Sequence, residues 1–493
     1  MKIFYLCVSL NTMDTIAYSV NGLQKKMKKF NRRDFLKVAS IGTASAFALS
    51  CGWIQDAQEN VMPQSADSRH AKVIVIGAGI AGLAAARTLT DKNVDVIILE
   101  ARNRIGGRIW TDSALGAPLD LGASWIHGIN GNPITELAKK FNAKTIPTID
   151  DNGVVFHADG REMTSAEFIK IEQLYESIYE EVQEIGEALD EDTSLQEIFD
   201  QVIAKRNLSA EELRGLNLYI QYETSLEYAA DPKDLSLWEW DSDEEFSGQH
   251  VIFPQGYNQI TNGLAQGLDI RLNTEAKAIT YSQNGVEVET NAGIFTSEKI
   301  VVTIPLGALK QADVKFEPPL PQSKQAAINR LAMGVLNKVY LKFPKIFWDA
   351  ELENISYAGE RAGEWAYWLN YAAYNGEPIL LAFHGGDKGW ALEEFSDDEI
   401  VASAMQTLQF LYGADIPDPE SFLITRWGKD KFSYGSYSHI PPFASGDDFD
   451  ALFEPVDNVL FFAGEATSRK YFATVHGAYL SGVEAGELVV GSL

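Results

Sequence analysis

Apolar residues fill "AKVIVI" and then give way to "GAGIAGLAAARTL", where small and apolar residues dominate. The pattern predicts a strand, a glycine turn and an alanine-rich helix. A second apolar run, "VDVIILE", predicts another strand that ends at Glu100. Residues 161–230 carry helical periodicity with many glutamates, most of them assigned to a solvated face. Residues 330–390 read as strands rich in aromatics: Trp348, Trp365, Tyr367, Trp368, Tyr371 and Tyr374. Most of these belong to a core, and one or two line a channel. Within "MGVLNKVYLKF", strand alternation sets Val335, Asn337, Val339, Leu341 and Phe343 on one face, with Leu336, Lys338, Tyr340 and Lys342 on the other. On that pattern alone Lys338 is a solvated strand lysine. Near the C-terminus "NVLFFAGE" reads as a buried strand entering a glycine turn, and "TVHGAYLSGVEAGEL" as a helix. The order of elements places the chain in the α/β class.

The first turn has the spacing Gly77-x-Gly79-x-x-Gly82 between strand and helix. Gly77 permits the tight turn, Gly79 lets backbone approach a pyrophosphate, and Gly82 lets the helix pack on the strand. The helix N-terminus offers unpaired N–H groups and a positive dipole end to phosphate. Glu100 falls roughly 20 residues on, where a carboxylate accepts the hydroxyls of an unphosphorylated ribose. That spacing favours FAD or NAD over NADP. In "EARNRIGGRIWT" a second pair, Gly106-Gly107, stands between Arg102 and Arg108. A pyrophosphate gripped from two sides favours FAD.

The 493 residues carry a net charge of −28, which argues against nucleic acid and favours encounter with cationic ligands. The only cysteines are Cys7 and Cys51, ahead of the first folded motif, so the body has no disulfide, thiolate metal site or cysteine nucleophile. No metal site is expected. Basic residues Lys25, Lys26, Lys28 and Lys29 precede Arg32-Arg33 and a weakly apolar run from Val38 to Leu49, too short for a stable membrane anchor. This segment resembles a twin-arginine export signal, which implies the twin-arginine machinery as a partner and a periplasmic or cell-envelope location. Met27 is an alternative start, and Cys51 a weak candidate for lipidation. Residues 1–51 thus form the signal region and 52–70 a polar linker.

These motifs resemble the flavin-containing amine oxidase family. The resemblance extends through "LDLGASWIHGINGNPITELAKKF", "FPQGYNQITNGLAQGLDIRLNTEAKAI", "VTIPLGALK", "TRWGKDKFSYGSYSHIP" and "NVLFFAGEATSRKYFATVHGAYLSGVEAGEL". It implies a Rossmann-type, discontinuous FAD-binding domain (71–150, 246–310 and 425–493) and an α+β substrate domain (151–245 and 311–424). It implies FAD contacts at Gly77, Gly79, Ile80, Ala81 and Gly82, and at Glu100, Ala101, Arg102, Gly106, Gly107 and Arg108. Others fall at Gly122, Ala123, Ser124 and Trp125, at Ala276 and Trp427, and at Gly464, Glu465, Thr474 and Val475. In the family Glu465 meets the ribityl chain, and backbone near Val475 meets the flavin ring.

Such an enzyme moves a hydride from the carbon beside a neutral amine nitrogen to flavin N5, and O2 becomes H2O2. An aromatic-walled site lowers the amine pKa from about 10.4 toward neutrality. "GVLNKVYLKF" matches the family strand whose lysine holds a water at flavin N5, which gives that role to Lys338 and not Lys342. Ser436 stands where monoamine oxidases carry the flavin-linking cysteine, Tyr437 at the first aromatic position of the flavin cage, and Thr474 at the second. The resemblance therefore implies noncovalent FAD. His127 in "GASWIHG" matches a histidine that contacts a substrate nitrogen in polyamine oxidases.

The expected function is oxidation of small cationic amines of the spermine and spermidine class. Rivals are an oxidase of other primary amines, an L-amino-acid oxidase using Arg361 as carboxylate clamp, and an inactive flavin-bearing sensor. The export signal and the lack of a long helical insertion argue against a histone demethylase. Oligomeric state is left open.

Overall fold

The computed structural model describes residues 69–149 and 151–493. The expected export signal, Cys51 lipidation and most of the linker therefore lie outside the described residues. The mixed α/β architecture rests on two large sheets. In the first, His70–Ile76 lies between Val96–Leu99 and Gly293–Val302, parallel to both. Asp269–Arg271 adds one edge, and Gly285–Thr290, Ala276–Ser282 and Lys315–Glu317 extend the other. Leu460–Phe462 pairs with the end of Gly293–Val302. Val73, Ile74 and Val75 are fully buried, as a strand covered on both faces requires. Lys315–Glu317, expected with the substrate domain, pairs with Ala276–Ser282 in this first sheet because its parallel register completes the sheet edge.

The helix Ile80–Thr90 packs against the last helix, Val475–Ser492, and joins the two ends of the chain. A Cβ at Gly482 would lie 2.2 Å from the Ala81 carbonyl oxygen, so the crossing needs glycine there.

The second sheet runs Ser421–Ile424, Leu336–Lys342, Ile379–Gly385, Tyr367–Asn370, Asn354–Ala358 and Gly153–His157. One face packs Val339, Leu341, Ala382 and Ile355 against Trp365, Trp368 and the helix Asp397–Tyr412. The other carries Tyr340, Leu369 and Leu381 against Leu119 and Leu121. Both faces are covered, which overturns the solvated reading of Lys338: the residue is 3% exposed. Trp348, Trp365 and Trp368 belong to the core, as expected.

Helices Ser165–Ala188, Leu195–Ile203 and Ala210–Gln221 cover the remaining side, and Thr164/Glu167 and Ser209/Glu212 form capping boxes on the first and third. The first buries Phe168, Ile171, Tyr175, Ile178 and Val182 at helical spacing. The third passes into a π-helical turn, Tyr222–Leu226. Among the described residues no helix is long and apolar enough to cross a membrane.

Candidate active site

A cavity of about 400 Å³ runs between the two sheets. At one end the two glycine turns meet: Gly106 N donates to the Ala78 carbonyl at 2.8 Å, and a Cβ on Gly107 would lie 3.3 Å from Gly79 Cα. Gly79 is the N-cap of Ile80–Thr90 and supplies no side-chain cap, leaving first-turn N–H groups for an anion. Glu100 is buried beside them, its carboxylate accepting from Ala78 N at 2.6 Å and Arg102 N at 2.8 Å. Burial pushes the carboxyl up, against the opposing pull of those N–H donors.

A Cβ built on Gly79 or Gly464 would meet no protein atom within 4 Å. The space before these glycines is shaped for a group other than the chain, which fits the expected flavin nucleotide. Gly82 does not line the cavity; its Cβ would fall 2.0 Å from the Gly77 carbonyl oxygen, so it serves the packing of helix on turn. The other expected cofactor contacts, including Ile80, Ala81, Ala101, Ala123 and Ala276, all line the cavity.

Ion pairs fix its wall. Arg102 binds Asp430 through two hydrogen bonds of 2.7 Å. Arg108 donates to Glu465 at 2.8 Å and to the Ser436 carbonyl at 2.9 Å. The second Glu465 oxygen accepts from Ser438 N at 3.2 Å and Ala473 N at 3.0 Å, so one buried carboxylate ties three segments together. Val475 opens the last helix at the cavity, and Thr474 caps it by accepting from Gly477 N at 2.9 Å. Thr474 thus fixes a helix start whose positive end faces the cavity. Trp427 lies across the wall, its indole donating to the Leu121 carbonyl at 3.0 Å.

Lys338 projects from Leu336–Lys342 into the same space. Nζ donates to the Asp120 and Gly122 carbonyls at 2.7 Å each and to Ser124 Oγ at 2.6 Å. Burial pushes the Lys338 amine down, and the nearby Asp120 charge opposes that. Burial pushes the Asp120 carboxyl up, against its hydrogen bonds from Thr111 and Tyr257 and the charge of Lys338. Lys342 instead donates to the Leu115 carbonyl at 2.7 Å and pairs with Glu377 at 3.2 Å. The structure therefore separates the two lysines.

Tyr437 lines the cavity, and its hydroxyl donates to the Leu226 carbonyl at 2.7 Å, tying it to the π-helical turn. Ser436 Oγ accepts from Leu336 N at 2.8 Å and donates to the Leu336 carbonyl at 3.1 Å. His127 also lines the cavity, with its ring 6.3 Å from Trp125 and 5.4 Å from His250.

Sequence reasoning missed Asp120, Asn337 and Phe383. The signal for Asp120 was a charge inside the apolar run "PLDLG", and for Asn337 a polar residue on the strand's buried face. Asn337 is fully buried; its amide donates to the Gly389 carbonyl and Glu393, and accepts from Thr425 and Trp427 N. Phe383 carries no local signal, because only strand pairing sets it opposite Lys338.

A family model described as flavin containing amine oxidoreductase matches residues 80–490. Polyamine oxidase 2 of Arabidopsis thaliana is 37% identical over 434 residues, covering 85% of this chain and 88% of that protein. Lysine-specific histone demethylase 1 homolog 2 of the same plant is 36% identical over 85% of this chain, which spans 58% of that protein's length. Wild-type putrescine oxidase bound to putrescine shares the fold at TM-score 0.69, with 20% identity over 86% of this chain and 99% of its own. By sequence and by fold, the chain belongs to the flavin-containing amine oxidoreductases.

Proposed function

We infer that the protein is an oxidase of polyamines, acting on the spermine and spermidine class with noncovalently held FAD and O2 as acceptor. One observation carries the reading: the cavity that Lys338 enters is walled by aromatics and carries an acidic stretch, Glu227, Asp243 and Glu245, with Glu244 beside them paired to Lys470 at 2.9 Å. Carboxylates draw a cationic chain in, and the aromatic interior favours its neutral, oxidisable nitrogen. The net charge of −28 adds a field of the same sign.

FAD, when bound, supplies the hydride acceptor and passes the electrons to O2. The chain's own groups orient the amine, exclude water and handle protons. The three acceptors around Lys338 Nζ match the three protons of an ammonium. When Lys338 gives up a proton, the Ser124 hydroxyl can turn from acceptor to donor, so the same three partners hold Nζ in either protonation state, and a water at the flavin would take the place of one of them. His127 is assigned to a substrate nitrogen. Ser436, in the place of a flavin-linking cysteine, supports noncovalent attachment.

The amino-acid oxidase reading lacks its clamp. Among the described residues the cavity-lining arginines are Arg102 and Arg108, each paired with a carboxylate. Arg361 does not line the cavity, and its side chain is 75% exposed beside Glu364. Export of the folded, FAD-loaded chain by the twin-arginine route completes the proposal and rests on the signal read from residues 25–49.

The test is amine-dependent H2O2 production by purified, FAD-loaded protein with spermine, spermidine, putrescine, phenylethylamine and common L-amino acids. His127→Ala is expected to raise KM for spermidine or spermine far more than it slows flavin reduction at saturation. Failure of the wild type to oxidise either polyamine would end the assignment.

A further inference from the structure

Strand register lines up four side chains across the second sheet. Lys338 pairs with Phe383 and Ser356 with Tyr367. The pairing of Trp368 with Ala382 sets Tyr367 opposite Phe383. Directly opposed residues share a face, and all four line the cavity. Three interstrand spacings, ~14 Å, separate Lys338 from Ser356.

The middle of the row is aromatic and offers no hydrogen bond. The Phe383 ring centre lies 5.7 Å from Lys338 Nζ. The Tyr367 hydroxyl is committed to the Leu218 carbonyl, and its ring lies 5.0 Å from Tyr222. Ser356 differs. It is 3% exposed, and among the described residues no protein group holds its hydroxyl. Asn354 lines the cavity on the same face, two residues away. The Ser356 oxygen opens onto the space a substrate enters, where a hydrogen-bond donor can reach it.

We propose that Ser356, with Asn354 beside it, is the distal subsite of the amine cavity, accepting a hydrogen bond from the second nitrogen of a long linear polyamine. The inference deepens the oxidase reading and rests on it. An extended chain advances about 1.3 Å per bond, so the row spans about eleven bonds. A diamine with a butane spacer falls well short of that; triamines and tetra-amines approach or reach it. Glu223, which lines the adjoining cavity with Tyr222 and Tyr367, supplies negative charge at this end. Burial first, and then that charge, pushes the Tyr367 phenol up.

The FAD-loaded protein and its Ser356→Ala variant are titrated with decane-1,10-diamine and with decylamine, which has the same ten-carbon chain but lacks the second nitrogen. Binding is read from the visible flavin spectrum or, where the amine reduces the flavin anaerobically, from the concentration dependence of that reduction. The wild type is expected to bind the diamine about tenfold tighter, the worth of one hydrogen bond to a charged group. Ser356→Ala is expected to abolish the difference and leave decylamine unchanged, with Ser356→Cys, a weaker acceptor, falling between. A preference that survives Ser356→Ala, or an equal loss for both amines, overturns the subsite while leaving the oxidase reading intact. A Ser356-dependent preference without any flavin reduction does the reverse. Tighter binding of an N-acetylated diamine than of the free one would assign Ser356 to an amide oxygen and overturn the proposal.

Discussion

The Asp120 carbonyl accepts from Lys338 Nζ at 2.7 Å while the Asp120 carboxylate stays close enough to oppose the lysine's loss of charge. One residue thus both holds the lysine and tunes it. Lys338→Met is expected to keep FAD bound but slow flavin reduction or reoxidation about tenfold or more. Unchanged rates in both half-reactions, measured by stopped flow, would remove Lys338 from the chemistry.

The same pair sets a pH dependence of stability. Burial lowers the Lys338 pKa, so between that lowered value and about 10.4 the folded protein binds fewer protons than the unfolded chain. Stability of the wild type relative to Lys338→Met therefore rises with pH in that window, by up to about 1.4 kcal/mol per pH unit. Asp120 acts oppositely and at lower pH. Its raised pKa makes the folded state bind the extra proton, so its contribution falls as pH rises from about 3.9 to that raised value. Urea unfolding of both proteins across pH 7 to 9.5 checks the lysine arm; parallel curves would show that Lys338 stays charged when folded.

Two glycines of one motif should fail differently. Gly79 has φ −72°, and a Cβ there meets no protein atom within 4 Å. Gly79→Ala is expected to fold with near-normal thermal stability as apoprotein yet lose FAD affinity about tenfold or more, because the methyl enters the pyrophosphate's approach. At Gly82 a Cβ would sit 2.0 Å from the Gly77 carbonyl oxygen. Gly82→Ala is expected to destabilise the fold itself, by about 1–3 kcal/mol. Flavin absorbance per chain and apoprotein melting separate the two.

These contrasts show which parts of the site were legible in sequence. The strand, turn and helix at residues 70–90 depend on neighbours in the chain, so spacing alone located them. The acidic partner at Glu100 followed from the same local unit. The burial of Lys338 did not, because it comes from a second layer, Leu119 and Leu121, packed on the sheet from more than 200 residues upstream. Lys338, Phe383, Tyr367 and Ser356 form a row only through a strand order in which 379–385 lies between 336–342 and 367–370. Alternation gave the face of each residue and could not give its neighbour. The family resemblance separated Lys338 from Lys342; the physical reason is the three acceptors at 120, 122 and 124 that only Lys338 reaches.

Arg361 provides a negative control. Its side chain is 75% exposed and outside the cavity, so Arg361→Ala is expected to leave kcat and KM for amines within about twofold and create no difference toward L-amino acids. Selective loss of an L-amino-acid activity in this variant would revive the amino-acid oxidase reading.

Asn337 gives the strongest structural prediction. Its amide makes four hydrogen bonds from a fully buried position, the full capacity of the group. Two of them hold Thr425 and Trp427 N, and Thr425 Oγ1 in turn accepts from Lys338 N at 2.8 Å. Glu393, the third partner, also accepts from Gly428 N at 2.7 Å and Lys429 N at 2.8 Å. The amide therefore clamps the segment carrying Trp427 to the strand carrying Lys338. Asn337→Ala would leave buried donors and acceptors unpaired, and is expected to cost about 3 kcal/mol or more in denaturant unfolding of the holoprotein. Asn337→Asp keeps the shape and the acceptors but places a carboxylate against Glu393, and is expected to lose at least as much at neutral pH and recover as pH falls. Recovery at low pH marks the hydrogen-bond clamp; wild-type stability of Asn337→Asp at neutral pH would mean that shape alone matters at this position.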